Sequence, residues 1–191
     1  ACVTSEVARG KADPAPWRAR YDDLAGKVAV VTGDHEALDA VVEALASNGM
    51  AVSVVASTRE GADRAVAAAE SAGAAVFGVE ADPADPATWS RVVPHSEQRL
   101  GPLDVLVALG PVTMRTAAVA AIAPDMRTRR RGVVIEVTGQ GDTAVAPAGV
   151  LHRIITAANG AERGDIAAAV ALCASDVLRV PIAVMHLGAG A

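Results

Sequence analysis

Aromatic side chains make up only 2% of this 191-residue chain. With hydrophobic residues at 52%, the core has to be built from Ala, Val, Leu and Ile, small side chains that suit helices laid closely on a sheet. Cysteine is almost as scarce. Cys2 stands in a polar tail and Cys173 in an Ala-rich helical pattern, so neither a disulfide framework nor a metal knot is expected, and Cys173 reads as a small buried packing residue. No apolar run approaches the roughly 18 to 20 residues that span a bilayer, which excludes a membrane segment. Residues 1–20 lack the run of about 7 to 15 apolar residues of a secretory signal, so a cytoplasmic location is expected. Net positive charge is lacking too: the formal charge of −5 excludes general binding of nucleic acid, which needs a basic face. The local exception is Arg127, Arg129, Arg130 and Arg131, expected to complement the negative end of the helix they follow.

Strand-like apolar runs alternate with amphipathic, Ala-rich stretches, the pattern of a parallel sheet built from βαβ units. Strands are expected at Lys27–Thr32, Ala51–Ala56, Ala75–Val79, Leu103–Ala108, Gly132–Thr138 and Val180–Leu187. Helices are expected at Leu38–Ser47, Arg59–Ser71, Pro86–Arg99, Thr113–Met126 and Gly164–Ser175. The fourth helix is expected to end or break near Pro124, and Gly139–Ala148 reads as loop. At this length the chain forms one domain, taken as residues 26–191, behind an N-terminal arm of residues 1–25. Trp17 and Tyr21, four apart in that arm, would share one helix face. They would pack on their own domain or cover a neighbouring subunit.

The residues LAGKVAVVTG, Leu24 to Gly33, resemble the opening strand of the short-chain dehydrogenase/reductase family. The likeness recurs in order in GPLDVLV (Gly101–Val107), RGVVIEVTG (Arg131–Gly139), RGDIAAAVALCASD (Arg163–Asp176) and the closing HLGAGA. The resemblance implies a Rossmann-like, doubly wound parallel sheet in three α/β/α layers, about six strands in this chain. The family's strand order is 3-2-1-4-5-6-7, with NAD(P) across the carboxyl ends of the strands. It also implies oxidation or reduction of a hydroxyl or carbonyl group.

The residues on which that chemistry rests depart from the family pattern one by one. The phosphate loop T-G-x-x-x-G-x-G reads Thr32-Gly33-Asp34-His35-Glu36-Ala37-Leu38-Asp39, so Gly33 alone remains to let the backbone approach a diphosphate. Three carboxylates surround that place, each repelling a phosphate charge about 4 Å away by roughly 1 kcal/mol in water. Asp34 or Asp39 reads equally as a helix cap. Asp34, His35 and Glu36 are consecutive, an arrangement that seldom converges on one ion, so no metal site is expected. At the adenosine end, Arg59 after the second strand and Asp82 after the third are the positions a nucleotide would meet. Each also reads as an ordinary loop or helix-start residue. The N-N-A-G signature is replaced by Ala108-Leu109-Gly110-Pro111.

The catalytic Ser and Tyr-x-x-x-Lys have no counterpart. The one Tyr is Tyr21, and the Lys residues are Lys11 and Lys27. Thr138 keeps at most an offset hydroxyl, and His152 and Thr156 stand at about the spacing expected for the catalytic pair. Much of the helix after the fourth strand, and the catalytic helix, sixth strand and substrate loop after the fifth, are expected to be missing. The expectation is therefore a non-catalytic relative with no cofactor, associating with itself or with an active subunit of the family. The alternative is a divergent NAD(P)-dependent oxidoreductase using Thr138 and His152.

Overall fold

The computed structural model of the chain describes residues 19–70, 72–145, 149–158, 161–176 and 182–188, the last group without the side chains of 182–184. Seven strands and five helices alternate: β1 (Val28–Thr32), α1 (Leu38–Ser47), β2 (Ala51–Ala56), α2 (Arg59–Glu70), β3 (Val76–Glu80), α3 (Pro86–Leu100), β4 (Val105–Leu109), α4 (Val112–Arg129), β5 (Val133–Gly139), β6 (Leu151–Ala157), α5 (Arg163–Ala174) and β7 (Ile182–Leu187). They form one parallel sheet in the order β3-β2-β1-β4-β5-β6-β7. Among the described residues no helix is long and apolar enough to cross a membrane.

The elements follow from local chemistry. The β-branched runs of β1 and β2 favour a pleated surface, and all five residues of β1 are buried, as expected of a strand covered on both faces. Alternate residues feed two cores. Ala29, Val31, Val105, Val107 and Ile135 face α1, α2 and α5, while Val28, Val30, Leu106 and Val134 face α3 and α4 with Trp89. Helix α3 starts on Asp85, whose carboxylate accepts from the Ala87 N–H at 2.9 Å, with Pro86 in the first turn, where a missing N–H costs nothing.

Three sequence expectations are corrected. The sheet has seven strands, not six: the segment around His152 is β6, paired along its length with β5. The sixth strand is therefore present, and His152 and Thr156 lie on a strand rather than on a helix. Helix α4 runs through Pro124 to Arg129 over 18 residues, so it does not end at the proline. Ala120, whose carbonyl Pro124 leaves without a helical donor, lies on the solvent side. Tyr21 is extended (φ −125°, ψ 102°) ahead of a short 3-10 turn at Asp22–Leu24, so no shared helix face reaches it. Trp17 lies outside the described residues.

Residues 19–24 are fastened to the sheet and helices that follow. Asn48, at the C-terminus of α1, accepts the Tyr21 N–H at 2.6 Å and donates to Ala19 O at 3.2 Å. Asp23 accepts from Ser175 Oγ at 2.9 Å and the Asp176 N–H at 2.8 Å, and pairs with Lys27 at 3.2 Å. Leu24 is fully buried in the α1 side of the core.

Candidate functional site

Open parallel sheets bind ligands beyond the carboxyl ends of their strands, at the point where strand order reverses. Here that point lies between β1 and β4. A crevice of about 440 Å³ opens there, lined among others by His35, Glu36, Gly110, Thr138, Asp142 and Ala158. Its floor is the turn after β1. Gly33 has φ +132°, and a Cβ on it would lie 2.0 Å from Leu109 O. Only glycine lets this turn cross the end of β4, so the surviving glycine has a steric reason independent of any phosphate.

The carboxylates of the turn do not converge on one spot. Both Asp34 oxygens are turned to Ser57 beyond β2: Oδ1 accepts the Ser57 N–H at 3.0 Å, and Oδ2 accepts the Ser57 hydroxyl. Asp39 pairs with Arg64 of α2 at 2.6 Å. Glu36 is left at the rim. Neither Asp34 nor Asp39 caps α1, whose N-cap is Ala37. Instead His35 Nδ1 accepts the Ala37 N–H at 3.0 Å and its carbonyl accepts the Leu38 N–H at 2.9 Å. Burial holds the His35 pKa below its ordinary value, against a smaller opposing effect of Glu36, which suits a neutral ring accepting at Nδ1.

Arg59 and Asp82 do not line the crevice. Arg59 lies largely in solvent and pairs with Asp63 one turn along α2 at 2.9 Å. Asp82 is exposed and accepts the Ala84 N–H at 2.9 Å, closing the turn before α3. The arginine group is likewise divided. Arg129 pairs with Asp125 at 2.6 Å and donates to Leu103 O at 2.7 Å, Arg131 pairs with Asp104 at 2.7 Å, and Arg130 takes the left-handed C-cap of α4. Among the described residues no group of three or more His, Cys, Asp or Glu side chains is placed to hold a metal ion.

The two candidate catalytic side chains are separated. Thr138 pairs in register with Thr156, and their hydroxyls lie 3.3 Å apart. His152 is opposite Val134, four residues back along β5, which is roughly 13 Å at about 3.3 Å per residue. There His152 Nε2 donates to Glu136 Oε1 at 2.8 Å. Glu136 also accepts the Val145 N–H at 2.8 Å and meets Arg115 Nε at 3.1 Å. Arg115 and Glu136 are completely buried. The Arg115 guanidinium further donates to Gly110 O, to Asp142 Oδ2 at 3.3 Å and to Thr143 O at 2.9 Å. One side chain thus ties the β4–α4 turn, β5 and the loop after it. The sequence signals were a Glu inside the apolar run of β5 and the lone charge early in α4, neither of which a motif search selects.

Residues 27–117 match the family of the short chain dehydrogenases. Over 86 residues the chain is 43% identical to an uncharacterized oxidoreductase of Methylorubrum extorquens, covering 44% of this chain and 35% of that protein. It therefore spans about a third of that relative. Among solved structures, levodione reductase superposes with a TM-score of 0.74 at 17% identity, over 85% of this chain and 96% of that one. The NADH-dependent reductase A1-R', solved with NAD, gives 0.72 at 16% identity, over 88% and 98%. The fold is that of the Rossmann-like α/β proteins. Within them, the chain resembles the short-chain dehydrogenase/reductase family, in its strand order and over residues 27–117.

The family implies NAD(P), whose diphosphate needs free amides at a helix N-terminus. The residues present do not fit that requirement. The N-cap amide of Ala37 and the Leu38 amide of α1 are held by His35, Asp34 is turned onto Ser57, and Glu36 stands at the rim.

Proposed function

We propose that this chain is a non-catalytic member of its family, a single cytoplasmic domain over residues 26–191 with an arm over 1–25. Its role is that of a folded partner of itself or of an active short-chain dehydrogenase/reductase subunit. The observation that carries this reading is the separation of Thr138 from His152, with His152 bound to buried Glu136. A proton donor has to stand within hydrogen-bond reach of the reacting group, and Tyr21 and Lys27 lie at the amino ends of the strands, away from the crevice. Association has a surface to use. An apolar groove of about 820 Å³ runs between α3 and α4, lined by Trp89, Val93, Val112, Thr116, Ala117 and Ala120 among others. Val112 there is 45% exposed, and contiguous apolar surface of this kind marks contact faces.

Sedimentation velocity tests the proposal. The wild type is expected to sediment above monomer mass, alone or with a co-purified relative, and Ala120→Arg, at an exposed position, to return it to monomer with unchanged melting temperature. A strictly monomeric wild type that recovers no family member in a pull-down overturns it.

The second reading is an NAD(P)-dependent oxidoreductase acting on a carbonyl or hydroxyl group. It is supported by the match over residues 27–117 and by the crevice at the strand ends. Under it, Gly33, Arg59 and Asp82 are the positions the nucleotide meets. Turnover of a carbonyl substrate with NADH or NADPH, lost in Thr138→Val, would establish it.

A further inference from the structure

We propose that the turn after β1 supplies, from its own side chains, the acceptor groups that a dinucleotide brings to this fold, so that the site is internally filled. Two places on a Rossmann-like sheet wait for an acceptor. One is the first turn of the helix after β1, whose amides lack intrahelical partners and attract a diphosphate. The other is the end of β2, some 20 residues further on, where the adenosine ribose lies and where the phosphate of NADP brings an acceptor. In this chain each has an acceptor from the turn itself, at Ala37 and Leu38 in the one and at Ser57 in the other.

At the helix, the His35 ring takes the Ala37 N–H and the His35 carbonyl takes the Leu38 N–H. A neutral imidazole thus stands where a phosphate oxygen would sit, and it does so without bringing charge into a partly buried turn. At β2, both oxygens of the Asp34 carboxylate are engaged by Ser57, through its backbone N–H and its hydroxyl. Asp34 therefore bridges the two turns across the gap that a dinucleotide would have to thread. The bridge is held from beneath, since Gly33 packs on the Leu109 carbonyl and its own N–H is bonded to Val55 O at 3.2 Å. The turn cannot retreat from the sheet without breaking those contacts. A nucleotide would have to displace Asp34 and His35 together, beside the exposed carboxylate of Glu36. The fold is consequently complete without a cofactor, and its stability is indifferent to one.

The experiment is amide exchange by NMR on the full chain, with and without millimolar NADH, NADPH or ADP, alongside thermal melts. The Ala37, Leu38 and Ser57 amides are expected to exchange slowly in the free protein, and no nucleotide shifts the melting temperature or those resonances. In Asp34→Ala the Ser57 amide is expected to exchange roughly tenfold faster or more, with Ala37 unchanged. In His35→Ala the converse is expected, while Asp34→Asn and His35→Asn, which keep an acceptor oxygen, stay near wild type. The proposal is overturned by nucleotide-induced shifts at Ala37 and Ser57 in the wild type, or by a Ser57 amide whose exchange is the same in Asp34→Ala. Association is read separately from mass, so a chain that bound NADH would sink this inference and leave the partner reading standing.

Discussion

The sheet is held by different physics on its two sides. From β3 to β4 the strands are lined mainly by Val, Ala and Leu. From β5 onward the interior holds Arg115, Glu136, His152 and Arg153. Among the described residues no helix joins β5 to β6, and the connection packs on the α4 side of the core through Val145 and Val150. Its backbone needs partners that a packed helix would have supplied to itself. Glu136 and Arg115 provide them at Val145, Thr143 and Gly110. A charged cluster here serves as the frame of a loop, and the apolar half needs no such device because its helices are continuous.

The sharpest way to break this comparison is Arg115→Met. It leaves Glu136 buried with one cation removed, and breaking a buried pair costs about 3–5 kcal/mol. Urea unfolding is expected to show that loss, and the double variant Arg115→Met with Glu136→Leu to recover a large part of it, since replacing both partners removes the stranded charge. Recovery of nothing would mean that the loop contacts, rather than the charge balance, dominate. On the apolar side Leu45→Ala, in the fully buried face of α1, is expected to cost about 2–5 kcal/mol. That loss should not depend on whether the Arg115–Glu136 pair is present, because the two sites share no partner. Coupling between them in a double-mutant cycle would show that the two halves are one mechanical unit.

The apolar half is also the half that could be read directly. Helix α1 and strand β2 run over the residues that their patterns indicated, Leu38–Ser47 and Ala51–Ala56, since their burial follows the hydrophobic period. Strand β6 was illegible because Leu151-His152-Arg153-Ile154 offers neither alternation nor a continuous apolar run. His152 and Arg153 are buried against groups distant in sequence, among them Glu136 for His152 and the Cys173 carbonyl, 3.0 Å from Arg153 Nη1. The candidate site divides in the same way. The loss of glycines in the turn after β1 was plain from the residues, whereas the destination of each carboxylate was not. Asp34 and Asp39 read as caps by position, yet Ser57 and Arg64 across the β2–α2 turn claim them, and only the fold brings those groups near.

The smallest expected effect separates the two regions by pH. His35 has its pKa lowered from the ordinary 6.5 by burial, so below that value the unfolded chain binds a proton more readily than the folded one. Stability from the His35–Ala37 bond is therefore fully present above about pH 6.5 and is lost as pH falls through the lower folded value. The expected change is about 1 kcal/mol, the size of one hydrogen bond. It should appear as a falling melting temperature between neutral and mildly acidic pH that His35→Asn flattens, because an amide oxygen accepts from Ala37 without titrating. Arg115→Met should lower the whole profile and leave this slope in place, since Arg115 and His35 share no hydrogen bond. A slope that vanished with Arg115 instead would place the acid-sensitive contact in the charged half and return the turn after β1 to a passive role.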